Sequence, residues 1–403
     1  MIRRPRKTSG SWRLSPGVLF LLFIMLFLAG CGKENTNGSE AFSTESGKSG
    51  DTEDSGRDTL SAEAHVENAY AEEFEIIRYK DGYRQINIGD QEILVVPAGK
   101  NVLEDVPEET MILKQPVGKI YMASSSAMSF FVSLDQLRTV EFTSTKASDW
   151  ADETVRNLVK DDTITYVGKY NTPDYDWLLT EGAGLAIENT MILHSPETKE
   201  KLEQLGIPVI IERSSYEKNP MGRMEWVKVY GCILGCEEQA KEWFDARDAE
   251  FKALTENRTS TGKKVAYFSF SPNGYVNVQK PKGYFAELIR LAGGESVFTA
   301  ENLSVDENDS SSAKISREDF YNIAKDADIL IYNGAITGSM DSVSEMLEQE
   351  PLMKDFKAVQ SGQVYTTKDN LFQEPTKVTE LLGELVDIIY EKPGEAKFII
   401  RIE

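Results

Sequence analysis

Cysteine and histidine are scarce in this chain of 403 residues, which holds three of the first and two of the second. So few leave little material for a disulfide framework, a zinc site or a histidine-based catalytic centre. No Gly-x-Ser-x-Gly elbow and no His-Glu-x-x-His helix occurs, so the common hydrolase signatures are missing as well. Basic charge is thin. Five of the 44 basic residues (Arg3, Arg4, Arg6, Lys7, Arg13) fall in the first 30 positions, which contain no acid. The remainder therefore carries 44 − 5 = 39 basic against 66 acidic side chains, a formal charge of −27. Such a surface repels phosphate backbones, and nucleic acid is not expected as a partner. Long apolar runs are missing too: Val18–Leu28 has eleven apolar residues, whereas a transmembrane helix needs about 20.

That short run is informative all the same. A basic start, a brief apolar stretch and then Leu28-Ala29-Gly30-Cys31 read as an export signal, residues 1–30. The last four residues look like the bacterial lipobox, in which the thiol of Cys31 is acylated and becomes the first residue. Two or more acyl chains would give stable anchoring to the outer face of a cell membrane. Residues 31–71 read as a disordered acidic tether, since from Gly32 to Tyr70 nine acids face three bases with hardly an apolar residue before Leu60.

From residue 72 the pattern changes. Phe74–Tyr79, Tyr83–Ile88 and Glu92–Val96, separated by Asp81-Gly82 and Gly89-Asp90, predict a small antiparallel sheet. Strands at 119–123, 139–142, 163–167, 185–188 and 208–212 then alternate with helices, the third spanning 172–179. Repeated βα units imply a mostly parallel sheet with its ligand crevice beyond the strand C-termini. Residues 72–235 form this first lobe. A second lobe, residues 259–403, repeats the logic with fewer strands, at 263–270, 295–299, 328–332 and 363–366. Between them Cys236–Arg258 contains no Gly or Pro and opens on Glu237 and Glu238. It places Ala240, Phe244, Phe251 and Leu254 at helical spacing. It predicts one long helix of roughly 30 Å joining two α/β lobes.

Candidate binding residues follow from position at strand ends. In the first lobe they are Ser124 and Ser125 at a strand-to-helix turn, then Arg213, Tyr216 and Arg223. Guanidinium forks suit carboxylate or metal-bound oxygen; an internal ion pair is the alternative for either arginine, and N-capping for either serine. In the second lobe they are Tyr275, Tyr332, Asn333, Asn370 and Phe372. Cys232 and Cys236 are predicted to be free thiols, because their Cβ vectors aim poorly for a bridge.

Lys119-Ile-Tyr-Met-Ala-Ser124, Gly206-Ile-Pro-Val-Ile-Ile211 and Gly222-Arg-Met-Glu-Trp226 recur in order with Leu291-Ala-Gly-Gly294, Asp328-Ile-Leu-Ile331 and Ala358-Val-Gln-Ser-Gly-Gln-Val-Tyr365. Together they make the chain resemble the substrate-binding proteins of ABC importers for iron–siderophores, haem and cobalamin, two lobes bridged by one helix. The resemblance runs from about residue 116 to the C-terminus. It implies a non-catalytic, monomeric, lipid-anchored receptor with no cofactor and no resident metal. That receptor captures a metal chelate, a ferric siderophore above cobalamin, haem or an oxyanion, and delivers it to a permease and its ATPase. It also implies one permease-docking acid per lobe. These correspond to Asp176 in Pro173-Asp-Tyr-Asp176 and to Glu295 after the double glycine. A lipid-anchored sensor without transport is the other reading.

Overall fold

The computed structural model describes residues 62–306, 312–369, 371–392, 394 and 396–403; the signal segment, Cys31, most of the tether and Asn370 lie outside them. The first strand, β1 (Ala62–Val66), falls inside the stretch expected to be tether. It pairs antiparallel with β2 (Phe74–Tyr79), so the folded body begins about ten residues earlier than composition implies. His65 and Glu75 pair across these strands, and the backbone from Ala69 to Glu73 is taken up by buried carboxylates. A polar segment folds here because partners far along the chain satisfy it.

β3 (Arg84–Ile88), β4 (Gln91–Val96) and β5 (Met111–Lys114) complete a five-stranded sheet ordered β1-β2-β3-β4-β5. The hairpins anticipated between 74 and 96 are present. Ile76, Ile86, Ile88, Ile93 and Val95 join the main core from this sheet, while Tyr83, Leu94 and Val96 pack beneath Val102, Leu103 and Val106 of the loop that follows β4.

The first-lobe sheet contains β6 (Lys119–Met122), β7 (Val140–Thr143) and β8 (Thr165–Tyr166). A small hairpin, β9 (Gly168–Lys169) and β10 (Thr172–Pro173), follows, and then β11 (Ala183–Asn189) and β12 (Val209–Glu212). The order is β12-β11-β6-β7-β8, all neighbours parallel. Helices α1 (Met128–Ser133), α2 (Glu153–Lys160), α3 (Tyr175–Thr180), α4 (Pro196–Gln204), α5 (Pro220–Glu225) and α6 (Val227–Leu234) cross between or follow them. The helix expected over 172–179 starts only at Tyr175. Asp174 caps it through Trp177 N–H, and the residues before it pair as a hairpin instead.

α7 (Glu237–Thr255) is the long joining helix. It buries Ala240, Phe244 and Phe251, the periodic positions, and rests on α6 of the first lobe and on the last helix of the second. Gly231 permits this closeness, since a Cβ there would lie 2.5 Å from the Cβ of Ala240. Cys232 is buried just before the joint and both it and Cys236 are free thiols.

The second lobe contains β13 (Lys264–Phe270), β14 (Val276–Gln279), α8 (Tyr284–Leu291), β15 (Glu295–Ser296), α9 (Ala300–Leu303), β16 (Ser312–Ile315) and α10 (Arg317–Ala324). It continues with β17 (Ile329–Tyr332), α11 (Gly334–Thr337), α12 (Val343–Gln349), α13 (Lys357–Ser361), β18 (Val364–Thr367), α14 (Val378–Ile389) and β19 (Ile399–Arg401). Its parallel strands number four against five in the first-lobe parallel sheet, as expected, and three antiparallel strands that were not anticipated bring the sheet to seven. The parallel centre of β15, β13, β17 and β18 is flanked by antiparallel β14, β16 and β19. These three are short; Val276-Asn-Val-Gln279 and Ser312-Ala-Lys-Ile315 alternate, but over only four residues beside turn-rich or Ser-rich stretches. One apolar core runs through both lobes, from Phe74 and Trp226 to Phe285, Leu385 and Phe398. Among the described residues no helix is long and apolar enough to cross a membrane.

Candidate ligand-binding site

The lobes meet along a seam beyond the C-terminal ends of β6 and β12. β12 runs apolar to Glu212, whose carboxyl is fully buried and takes hydrogen bonds from Ser214 N–H (2.8 Å) and the hydroxyls of Ser124 (3.3 Å) and Ser126 (3.4 Å). Burial pushes this carboxyl's pKa up against those hydrogen bonds. Ser124 is thus committed to Glu212, whereas Ser125 faces the seam.

The two arginines fare differently. Arg213 is bound by the Glu73 carboxylate, 2.9 Å from Nε, and lies 4.7 Å above the ring of Tyr216. Its charge is neutralised within the first lobe. Arg223, on α5, donates to two carbonyls, Ser215 at 3.0 Å and Glu217 at 3.5 Å. Its guanidinium lies 3.7 Å over the ring of Tyr284, the first residue of α8 in the other lobe. No described carboxylate ion-pairs with it. Burial draws its pKa down, with Tyr284, Glu212 and Glu217 opposing, and an arginine remains cationic through any such shift.

Three of the candidate aromatics are half-exposed, Tyr216 at 48 %, Tyr275 at 49 % and Phe372 at 51 % of full exposure; of these Tyr216 carries the Arg213 guanidinium on its ring. Beside Phe372, the Gln373 side chain reaches back across the seam, donating to Asp149 O (2.8 Å) and accepting from Ala151 N–H (2.9 Å). A cavity of about 60 Å³ adjoins it, lined by Ser125, Met128 and Trp150 from one lobe and Glu374 and Lys377 from the other. One Glu374 oxygen is buried there without a partner, and burial raises its pKa. Sequence position did not single out Tyr284, Gln373 or Glu374. The Phe372 neighbourhood was the available signal.

Tyr332 and Asn333 sit at a strand end as expected but serve the fold. The Tyr332 ring packs on Phe268 and Phe270 in the core, and Asn333 caps α11 through Ala335 N–H. Asp176 is exposed in the first turn of α3. Glu295 is paired with Lys264 and accepts from Ser260 at 3.2 Å, and the Lys264 contact holds its carboxyl below the usual range. Among the described residues no group of three acids, His or Cys could hold a metal.

A model of the periplasmic binding protein family matches residues 139–371, more than half of the chain. The chain belongs to that family. Its members bind ligands rather than transform them, in keeping with the missing catalytic motifs. The chain is 26 % identical over 253 residues to an uncharacterised lipoprotein of Methanocaldococcus jannaschii; the match spans 61 % of this chain and 57 % of that one. Among solved structures, a petrobactin-binding protein of Bacillus subtilis superposes with a TM-score of 0.53 at 16 % identity, covering 69 % of this chain and 93 % of that one. A periplasmic haem-binding protein of Vibrio cholerae gives a TM-score of 0.52 at 17 % identity, covering 66 % and 98 %. Those two proteins, alike in fold, are named for different ligands.

Proposed function

We propose that this protein captures a bulky anionic metal chelate at the seam between its lobes and hands it to an ABC permease. The observation that carries the reading is Arg223: a cation held between the lobes on carbonyls and an aromatic face, with no described carboxylate ion-paired to it. Such a group gains most from an anionic oxygen, because its desolvation is already paid. The half-exposed rings of Tyr216, Tyr275 and Phe372 suit the apolar parts of a chelate. A ferric siderophore fits this mixture best. Haem and cobalamin remain the nearest alternatives, in line with the haem-binding relative in fold, and an oxyanion or a sensing role without transport follows them. The 60 Å³ cavity is far below the roughly 300 Å³ or more of a small-molecule pocket. A chelate therefore enters only if the Gln373 bridge opens and the lobes part.

Anchoring at Cys31 would hold the receptor on the outer membrane face, and Asp176 with Glu295 would dock it to permease arginines, Glu295 exchanging Lys264 for the new partner. Tryptophan-fluorescence titration with ferric siderophores, haem, cobalamin and molybdate tests the ligand. Saturable quenching by a ferric siderophore that Arg223→Ala weakens supports it; silence toward all four sinks it. The docking assignment predicts that Asp176→Arg with Glu295→Arg abolishes uptake and leaves affinity intact.

A further inference from the structure

Between β1 and β2 the chain does something that its composition conceals. Five consecutive backbone N–H groups are gathered by two buried carboxylates. Ala69, Tyr70 and Ala71 donate to Glu225, each at 2.8 Å, and Glu72 and Glu73 donate to Glu217 at 2.8 and 3.0 Å. Successive N–H groups converging on one anion form a nest, and each such bond is charge-assisted. Neither carboxylate has water as an alternative, since Glu225 is 0 % and Glu217 2 % exposed. This segment lies flush on α5 because residue 222 is glycine: a Cβ there would meet Tyr70 O and the Glu217 carboxylate, both at 3.1 Å. Tyr70 also donates its hydroxyl to Asp248 of α7 (2.6 Å) and sets its ring edge-on against Phe244 and Phe251.

Glu217 is the link to the seam. Its side chain is held by the strap and by Trp226 Nε1 (2.9 Å), while its carbonyl, with that of Ser215, receives Arg223. Glu73 of the same strap holds Arg213, which begins the turn. We propose that the strap 69–73 is a positioning element of the binding seam: it fixes the 213–217 turn through Glu217 and so aims the Arg223 guanidinium at Tyr284. The segment that leads from the membrane tether is thereby part of the receptor's working structure. This inference rests on reading the seam as the ligand site, but its geometric content can be read without any ligand.

A guanidinium over an aromatic ring carries a ring-current shift, so Arg223 side-chain resonances in the full-length protein report its seat on Tyr284. Glu217→Gln keeps the shape but presents an amide to the strap donors, and Glu72→Pro removes one donor. Both should abolish the Arg223 shift, whereas Ser316→Ala, a lost helix cap in the second lobe, should leave it. Retention of the shift in Glu217→Gln and Glu72→Pro, or equal loss in Ser316→Ala, overturns the proposal. Hydrogen exchange on the unaltered protein is a second test, immune to misfolded variants: amides 69–73 and 214–217 should open as one unit, and independent opening overturns it. Titration with a ferric catecholate and a ferric hydroxamate separates the two readings. Weakened binding in the strap variants supports both. If neither chelate binds the unaltered protein, the chelate reading fails, while the Arg223 shift still decides the strap.

Discussion

Both chain ends of the folded body are tied down by glutamates, yet the two ties differ in what lies behind them. At the C-terminal end Glu384 of α14 collects the N–H groups of Lys397, Phe398 and Ile399. That nest holds β19 to the edge of the second-lobe sheet. At the N-terminal end Glu225 and Glu217 collect five N–H groups, and behind them stand α7, the 213–217 turn and Arg223. The same polar device closes an edge in one lobe and reaches the seam between the lobes in the other. The strand ends repeat this contrast. Two first-lobe strands, β11 and β12, close on buried carboxyls, Glu188 and Glu212, whereas the second-lobe strands β13, β17 and β18 end at or lead into Ser271, Asn333, Thr366 and Thr367, groups that do not ionise near neutral pH. At the strand ends the carboxyls whose pKa burial raises are those of the first lobe, while the second lobe brings Glu374 to the seam from beyond its last parallel strand.

The largest effect that tests this contrast is on stability. Glu225→Ala strands three buried N–H groups and Lys228, and should cost about 3–5 kcal/mol. Glu384→Ala, at the more exposed site, should cost about 1–3 kcal/mol. Urea unfolding measures both, and the reverse order breaks the comparison. Next comes binding: Arg223→Ala should weaken a ferric siderophore by about 1.5–3 kcal/mol, the range for a hydrogen bond to a charged group. Arg213→Ala should change affinity less, its charge being already spent on Glu73; equal losses by fluorescence titration would remove the distinction between the two arginines.

Glu188 supplies a smaller effect with a definite sign. Both its oxygens and the neighbouring Tyr121 hydroxyl are buried without partners, and burial raises its pKa well above the ordinary value. With the folded value above the unfolded one, the neutral acid favours the fold. That stability is full below the ordinary glutamate pKa and is lost as pH rises through the raised one. Glu188→Gln should therefore flatten this part of the melting-temperature profile and raise the melting temperature near neutrality relative to the unaltered protein. An unchanged profile would mean that Glu188 finds a partner. Smallest is Asn333→Ala, a lost cap costing about 1 kcal/mol with chelate affinity untouched; a drop in affinity would return Asn333 to the ligand site.

Much of the architecture was legible in the residues. The periodic positions Ala240, Phe244 and Phe251 marked α7, and the hairpins of β2–β4 followed from alternation and Asp-Gly or Gly-Asp turns. The parallel strands were visible as apolar runs ending in polar residues. β14, β16 and β19 were not: β14 and β16 alternate over only four residues and β19 spans three, whereas the equally short β12 and β17 stand out as continuous apolar runs. The candidate site was half legible. Position at strand ends placed Arg223, Tyr216 and Phe372 beside the seam, but it placed Tyr332 and Asn333 there too, where packing and capping account for them. Tyr284 and Gln373 lay outside any strand-end rule and entered only because the other lobe faces them.

What the sequence determined by itself is therefore the set of elements and the faces they bury, because those depend on neighbours three or four residues away. What only the tertiary structure decided is the fate of each charge. Arg213 and Arg223 stand ten residues apart in similar local surroundings, yet one meets Glu73 and the other Tyr284. A long polar side chain takes its role from whatever distant segment packs against it, and no local pattern encodes that partner. The strap is the clearest case. Residues 69–73 look like solvated linker until Glu217 and Glu225, about 150 positions on, bring their carboxylates to the waiting N–H groups.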